Sequence, residues 1–176
     1  MRYALPVQKV IVDGYNVIHA DESLKRMAAR GLEDARGALV ARLRDYLAER
    51  SVSITVVFDG AGRLTDVDVA VPGRLQLLFT AGGQTADEMI LRILEESSNP
   101  REYIVVTSDM TDIGRNARAM GACVVRSGEF LARIRPKRGR PGSDRGSERD
   151  SMPDVDFWLG QFERDSKDGG GEPDGD

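Results

Sequence analysis

Two periods of hydrophobicity alternate along this chain. Short apolar runs rich in branched residues occur at Lys9–Val12, Ile54–Phe58, Leu75–Thr80, Tyr103–Val106 and Ala122–Val125. Branched side chains pack well on a pleated surface, so these runs predict buried strands. Three-four spacing of apolar residues separates them and predicts helices. Ser23–Arg30 places Leu24, Met27 and Ala28 on one side, with Gly31 as its stop. Leu32–Arg50 is the clearest helix, with Leu32, Ala35, Leu39, Leu43, Tyr46 and Leu47 on one face. Thr85 precedes Glu88 by three residues, the spacing of a capping box, and opens a helix with Met89, Ile90, Ile93 and Leu94 as its stripe. Asn99-Pro100 closes it. Two further helices are predicted at Met110–Met120, ending at Gly121, and at Gly128–Ile134. The connection Ala61–Arg74 is less regular. Within it Val67–Val71 reads as a short edge strand, and Pro72-Gly73 turns the chain.

Strands that alternate with helices predict an α/β fold: three α/β/α layers around a mainly parallel sheet of about five strands. The pattern stops after Ile134. Residues Pro136–Asp150 are prolines, glycines, serines and charges and cannot bury enough to order themselves. Val155, Phe157, Trp158, Leu159 and Phe162 form an apolar island among acids, and Lys167–Asp176 is rich in Gly and Asp. Two parts are therefore expected: a domain at 1–134, and a charged, largely disordered tail at 135–176 with a short apolar motif at 155–162.

Composition adds bounds. The 176 residues are 31% charged and 40% hydrophobic, as in an ordinary soluble protein. The apolar runs are too short to cross a bilayer, and Met1–Pro6 has no apolar signal core, so a cytoplasmic location is expected. Cys123 is the single cysteine, which excludes an internal disulfide and any multi-cysteine metal site. Net charge is −4 but unevenly spread. Residues 1–134 are net −1, residues 135–149 net +4, and residues 150–176 net −7. The acidic total argues against a broad nucleic-acid-coating surface but leaves room for a small basic channel.

The punctuation of the strands points to chemistry. Val10-Ile11-Val12 stops at Asp13-Gly14, and Ile54–Phe58 stops at Asp59-Gly60. Gly14 is expected to let the backbone bend there. Asp87 and Glu88 follow the third strand, in the first turn of a helix. Asp109 follows the fourth, with Asp112 one turn later. Parallel strands point the same way, so these acids are expected on one rim, where open α/β sheets bind ligands. Individually each has a structural role open to it: turn, helix cap or dipole partner. Together, unpaired carboxylates on one rim would repel and raise each other's pKa, a cost that a divalent cation removes. All-oxygen donors suit Mg²⁺ or Mn²⁺. A carboxylate-held cation activates water and stabilises in-line displacement at phosphorus. Competing chemistries are excluded. His19 is the sole histidine, so no histidine pair acts as acid and base, and His19 reads as a polar residue near the rim. The chain has no phosphate-binding P-loop motif, and Gly82-Gly83 fits no dinucleotide fingerprint.

Asp13-Gly14-Tyr15-Asn16, Leu32-Glu33-Asp34-Ala35-Arg36, Val57-Phe58-Asp59, Phe79-Thr80 leading to Thr85-Ala86-Asp87-Glu88, and Thr107-Ser108-Asp109 occur in this order. Over residues 8–134 the chain thereby resembles the NYN domain family, in its YacP-like branch, whose fold is similar to that of PIN-domain nucleases. The resemblance implies a metal-dependent endoribonuclease. It makes Asp13, Asp87 and Asp109 the metal-binding acids, and Asn16 the residue that fixes Asp13 or a metal-bound water. Asp59 and Asp112 match less diagnostically, and Glu88 either binds metal or only caps its helix. The tail departs from the family pattern and inherits nothing.

RNA phosphates would need cations near the rim. Arg36, Arg63 and Arg115 are the candidates, each with a solvated surface role as its alternative. Tyr15 either stacks on a base or packs under the turn. Arg133, Arg135, Lys137, Arg138 and Arg140 form a basic block that either adds non-specific RNA affinity or serves as a linker. Phe157-Trp158-Leu159 reads as a docking motif for another protein or for the domain itself, or as a remnant without a role. Two rival functions remain beside the nuclease: a non-catalytic RNA-binding module on the same fold, and a small-molecule phosphohydrolase. The second lacks an Asp-x-Asp pattern after the first strand, since position 15 is Tyr. The residues do not show which RNA is cut, or whether a ribonucleoprotein particle presents it.

Overall fold

A computed structural model describes residues 8–60, 71 and 73–135 of the chain. The first strand, β1 (Gln8–Asp13), runs straight into a helix, α1 (Gly14–Ala20), followed by α2 (Glu22–Ala28) and α3 (Leu32–Ala48). Then come β2 (Val52–Phe58), β3 (Leu75–Phe79), α4 (Ala86–Glu95), a 3₁₀ turn at Pro100–Glu102, β4 (Tyr103–Thr107), α5 (Ile113–Ala119), β5 (Cys123–Arg126) and α6 (Ser127–Ile134). The sheet order is β3-β2-β1-β4-β5, and every neighbouring pair is parallel. The fold is thus α/β with a five-stranded parallel sheet, as the alternation of strands and helices predicts.

This order makes β1 the central strand. The chain moves from β1 outward through β2 and β3, then returns to lay β4 on the other side of β1. A topological switch point therefore lies between the carboxyl ends of β1 and β4, the position where open α/β sheets leave a crevice for ligands. Alternation along β1 sends Ile11 and Asp13 to one face and Val10 and Val12 to the other. Ile11 packs with Val57 and Val105 against Ala86, Ile90 and Leu94 of α4 and Ile113 and Ala117 of α5. Asp13 stands on the same side, above that core. On the opposite face, α3 buries Ala35, Leu39, Leu43 and Leu47. Burying side chains of this size stabilises by roughly 1.5–3 kcal/mol each, so the two layers fix the sheet edge firmly.

Four expectations need correction. A helix, α1, replaces the turn expected after Asp13, and α2 ends at Ala28. Gly31 is then the extended N-cap of α3 rather than the stop of α2. Leu32 and Met27, expected on buried faces, are 45% and 42% exposed, because they lie at the open end of the α2–α3 pair. The fifth helix begins at Ile113 rather than Met110, since the Asp109 side chain holds residues 111 and 112 in a turn before it. The edge strand at Val67–Val71 falls largely, and Arg63 and the 136–176 part of the tail wholly, outside the described residues. No helix among the described residues is long and apolar enough to cross a membrane.

Candidate functional site

Asp13 ends β1 and is also the N-cap of α1. It is 5% exposed. Its Oδ1 accepts from the Asn16 backbone N–H at 3.0 Å and its Oδ2 from the Asn16 side-chain amide at 2.5 Å. The same amide makes a long contact of 3.5 Å to the hydroxyl of Thr107, at the end of β4. Asn16 therefore spans the switch point and fixes the rotamer of Asp13. Thr107 is fully buried and also accepts from the Asp109 backbone N–H at 3.1 Å. It was not among the residues singled out chemically from the sequence, although it opens the Thr107-Ser108-Asp109 motif.

Close packing explains why α1 can start at this point. A Cβ on Gly14 would lie 2.2 Å from the Phe58 ring. The glycine is needed for this approach. Its φ is not among the positive ones, which include Gly60 at 82° after Asp59. The expected bend at Gly14 is thus a helix start pressed onto an aromatic ring, whereas the Asp59-Gly60 pair is a true left-handed turn.

The other acids divide by what their oxygens already do. Asp59 is exposed, and its Oδ1 accepts from the Ala86 N–H at 2.5 Å, tying the end of β2 to the start of α4. Thr85 and Glu88 form the expected capping box, with 3.2 Å and 3.1 Å bonds, so the Glu88 carboxylate holds its own helix end. Asp109 Oδ1 accepts from the backbone and hydroxyl of Thr111 and from the Asp112 N–H, at 2.8–3.1 Å. Asp87 is partly buried in the first turn of α4, and among the described residues nothing donates to its carboxylate. Asp112 and Arg115 are exposed at and just inside the start of α5, and His19 is exposed at the end of α1.

The acids influence one another electrostatically. Burial raises the Asp13 carboxyl above its ordinary value. The Asn16 bonds oppose that shift and the charge of Asp59 adds to it. Burial also raises Asp87, helped by the charges of Asp13, Asp109, Asp59 and Asp112. Asp109 is lowered instead, by the Asp112 N–H first and then by Thr111. One carboxylate thus feels four others, as expected of a shared rim. Even so, among the described residues no three such acids are drawn together tightly enough to enclose a metal ion. The donor chemistry suits a hard divalent cation. Asp13 and Asp87 have the oxygens most in need of one.

Arg36, in the second turn of α3, is not a surface residue. It is 8% exposed. Its guanidinium lies 5.4 Å from the ring centres of Tyr15 and Phe79 and 5.5 Å from that of Phe58. Nη2 donates to the Tyr15 hydroxyl, and the buried Nε has no hydrogen-bond partner. Tyr15 packs edge-on against Phe58 at 5.3 Å, and Phe58 stacks on Phe79 at 5.5 Å. An unpaired buried donor costs about 1–3 kcal/mol, which cation–π contacts of about 0.5–2 kcal/mol offset in part. Phe58 and Phe79, the last residues of β2 and β3, carried no chemical signal beyond their place before polar punctuation.

A switch point with acids at its rim, on a parallel sheet, is where an open α/β fold takes a ligand. Residues 10–151 match the YacP-like NYN domain, and the chain belongs to that family. It is 33% identical over 104 residues to the uncharacterized protein YacP of Bacillus subtilis (strain 168), a match covering 58% of this chain and 61% of that protein. In fold it is similar to the crystal structure of Rae1 (YacP) from Bacillus subtilis, with a TM-score of 0.59 at 24% identity, covering 92% of this chain and 81% of the other. A tryptophan-to-leucine mutant of Rae1 gives 0.61 at 23% identity, covering 92% and 83%.

Proposed function

We propose that this chain is a metal-dependent endoribonuclease that hydrolyses RNA phosphodiester bonds at the rim between β1 and β4. The observation that carries this reading is the convergence of charge on Asp87, whose carboxyl is raised by burial first and further by the charges of four other rim acids. Such repulsion destabilises a fold unless a cation resolves it. Membership of a family with a PIN-like nuclease fold supports the same reading.

Asp13 and Asp87 would hold Mg²⁺ or Mn²⁺, with Asp109 completing the set through Oδ2, since its turn bonds use Oδ1. Asp59, Glu88 and Asp112 would act from further out, since Asp59 and Glu88 already brace the start of α4. When bound, the cation supplies an activated water and neutralises charge on the phosphoryl oxygens. The chain's own residues do the rest. Asn16 holds Asp13 in one rotamer through two bonds, so the carboxylate is positioned before any ligand arrives. The Thr107 hydroxyl links that pair to the Asp109 turn. Arg36 and Arg115 supply positive charge against RNA phosphates.

The test is cleavage of structured and unstructured RNAs by the purified protein with Mn²⁺, with EDTA, and with Asp13→Asn. Cleavage that needs Mn²⁺ and Asp13 is expected. Binding without cleavage, indifferent to both, would instead identify a non-catalytic RNA-binding module. Cleavage that survives both changes would remove Asp13 from the chemistry.

A further inference from the structure

We infer that Arg36 and Tyr15 together form a preformed clamp for one RNA phosphate, placed beside the acidic rim rather than at the bond being cut. This deepens the ribonuclease reading and rests on it for the identity of the ligand. Three separate elements build the clamp. Tyr15 comes from the start of α1, Phe58 from the end of β2 and Phe79 from the end of β3, and all lie at the carboxyl edge of the sheet. Tyr15 is two residues beyond Asp13, and Phe58 immediately precedes Asp59. The guanidinium is thus fixed next to the rim by rings that touch it from three sides.

Among the described residues no anion pairs with this cation: the Lys9–Glu102 and Arg42–Asp21 ion pairs do not involve it. Its Nε is buried and unpartnered. A guanidinium taken out of water is ordinarily paired, because its planar donors match carboxylate or phosphate oxygens in pairs. Arg36 is instead held ready by aromatic faces and by one neutral hydroxyl. That hydroxyl accepts from Nη2, which leaves its own proton free to donate. Tyr15 is only partly buried, and its O–H is the clamp's second donor. Arg36 and Tyr15 therefore present adjacent donors to a single oxyanion. A phosphate fits better than a base, since Phe58 is fully buried and the rings already face the guanidinium. The surrounding charge gives the clamp its purpose. Five carboxylates act together at the rim and would repel an RNA backbone, and a fixed cation at its border offsets that repulsion.

The test is binding of a single-stranded RNA oligonucleotide in EDTA at several salt concentrations, using Asp13→Asn as the parent so that cleavage does not interfere. Adding Arg36→Met, which keeps an apolar stem among the rings, is expected to weaken binding about ten- to a hundredfold. It should also make the slope of log affinity against log salt shallower by about one phosphate contact. Tyr15→Phe keeps the ring and should cost less, with the slope unchanged. Arg36→Lys keeps the charge and the slope but loses part of the affinity. In the wild-type background Arg36→Met should raise KM and leave kcat near its starting value. Unchanged affinity in a folded Arg36→Met protein overturns the clamp, as does weaker binding with an unaltered salt slope, which marks a purely structural arginine. If Arg36→Met does not fold, Arg36→Lys and Tyr15→Phe decide, and wild-type affinity in both overturns it. A folded parent that binds no RNA also overturns it, whereas the nuclease reading is judged separately by Mn²⁺-dependent cleavage.

Discussion

Asp13 and Asp21 are the same residue in nearly the same local setting, eight positions apart. Each is buried, at 5% and 8% exposure, and each caps the start of a helix through a side-chain oxygen. Their surroundings differ in sign. Asp21 accepts from Ser23 at 2.6 and 2.9 Å and from the Leu24 N–H at 3.0 Å, and it pairs with Arg42 at 3.0 Å. Burial alone would push its carboxyl up, but Ser23, Leu24 and Arg42 outweigh that and hold it well below the usual carboxylate range. For Asp13, burial moves the pKa up and the charge of Asp59 adds to it, against the opposing bonds of Asn16 and the Tyr15 backbone; among the described residues no cation pairs with it. A buried acid with a full set of partners is a structural device. A buried acid kept short of them, at a switch point, is what the proposed function needs: a group left for a ligand to complete.

Exchanging the charge for an amide breaks the comparison most directly. Asp13→Asn should lower the RNA cleavage rate by about three orders of magnitude, since several kcal/mol of charge stabilisation in the transition state goes with it. Its urea midpoint should hold or rise, because a buried anion without a cation is removed. Asp21→Asn should do the reverse, costing about 2 kcal/mol of stability while the folded protein still cleaves. Loss of activity with both variants, each still folded, would erase the distinction. Asn16→Ala tests the link between them, because it leaves the rim charge intact and removes only the partner of Asp13. A ten- to hundredfold loss in cleavage is expected, about the size seen when a residue that orients a ligating group is removed. The melting temperature should move far less than the rate.

Gly14→Ala sharpens the structural side. The added Cβ would lie only 2.2–2.8 Å from atoms of the Phe58 ring, so Phe58 or the whole start of α1 must shift. Overpacking of this kind costs about 1–3 kcal/mol, read as a lower urea midpoint with an unchanged m-value. Gly60→Ala, in open space but at φ 82°, should cost about 1 kcal/mol through backbone strain alone.

Those two glycines also show how far the sequence can be read. Asp13-Gly14 and Asp59-Gly60 look alike as dipeptides, and both mark strand ends. The strand runs, their parallel alternation with helices, and the delivery of Asp13, Asp59, Asp87, Asp109 and Asp112 to one rim follow from local pattern, because period and punctuation are local properties. The helix after Asp13 does not follow, since Gly14 is required by a ring 44 positions away in the chain. Arg36 is the same case. In the α3 pattern it reads as one more charge on a polar face, and only the packing of α3 over the ends of β2 and β3 places it among three rings. The division of labour among the acids is likewise tertiary. Asp59 bonds to Ala86, 27 residues on, and nothing around Asp59 itself announces that.

The smallest expected effect is also the cleanest in sign. Because the Asp21 pKa is lower in the folded chain than in the unfolded one, the unfolded chain binds more protons as acid is added. The stability that Asp21 contributes is therefore complete above the ordinary carboxylate range, near pH 4, and is lost as pH falls through its depressed folded value. Asp21→Asn has no such proton to gain. The gap in urea midpoint between wild type and Asp21→Asn should accordingly be constant from about pH 7 to pH 5, then narrow below about pH 4. Added salt at neutral pH should narrow it only slightly, since both partners are largely out of solvent and screening acts weakly there. A gap that widened on acidification would mean that Asp21, like Asp13, is held against its charge, and the contrast between the two acids would fall.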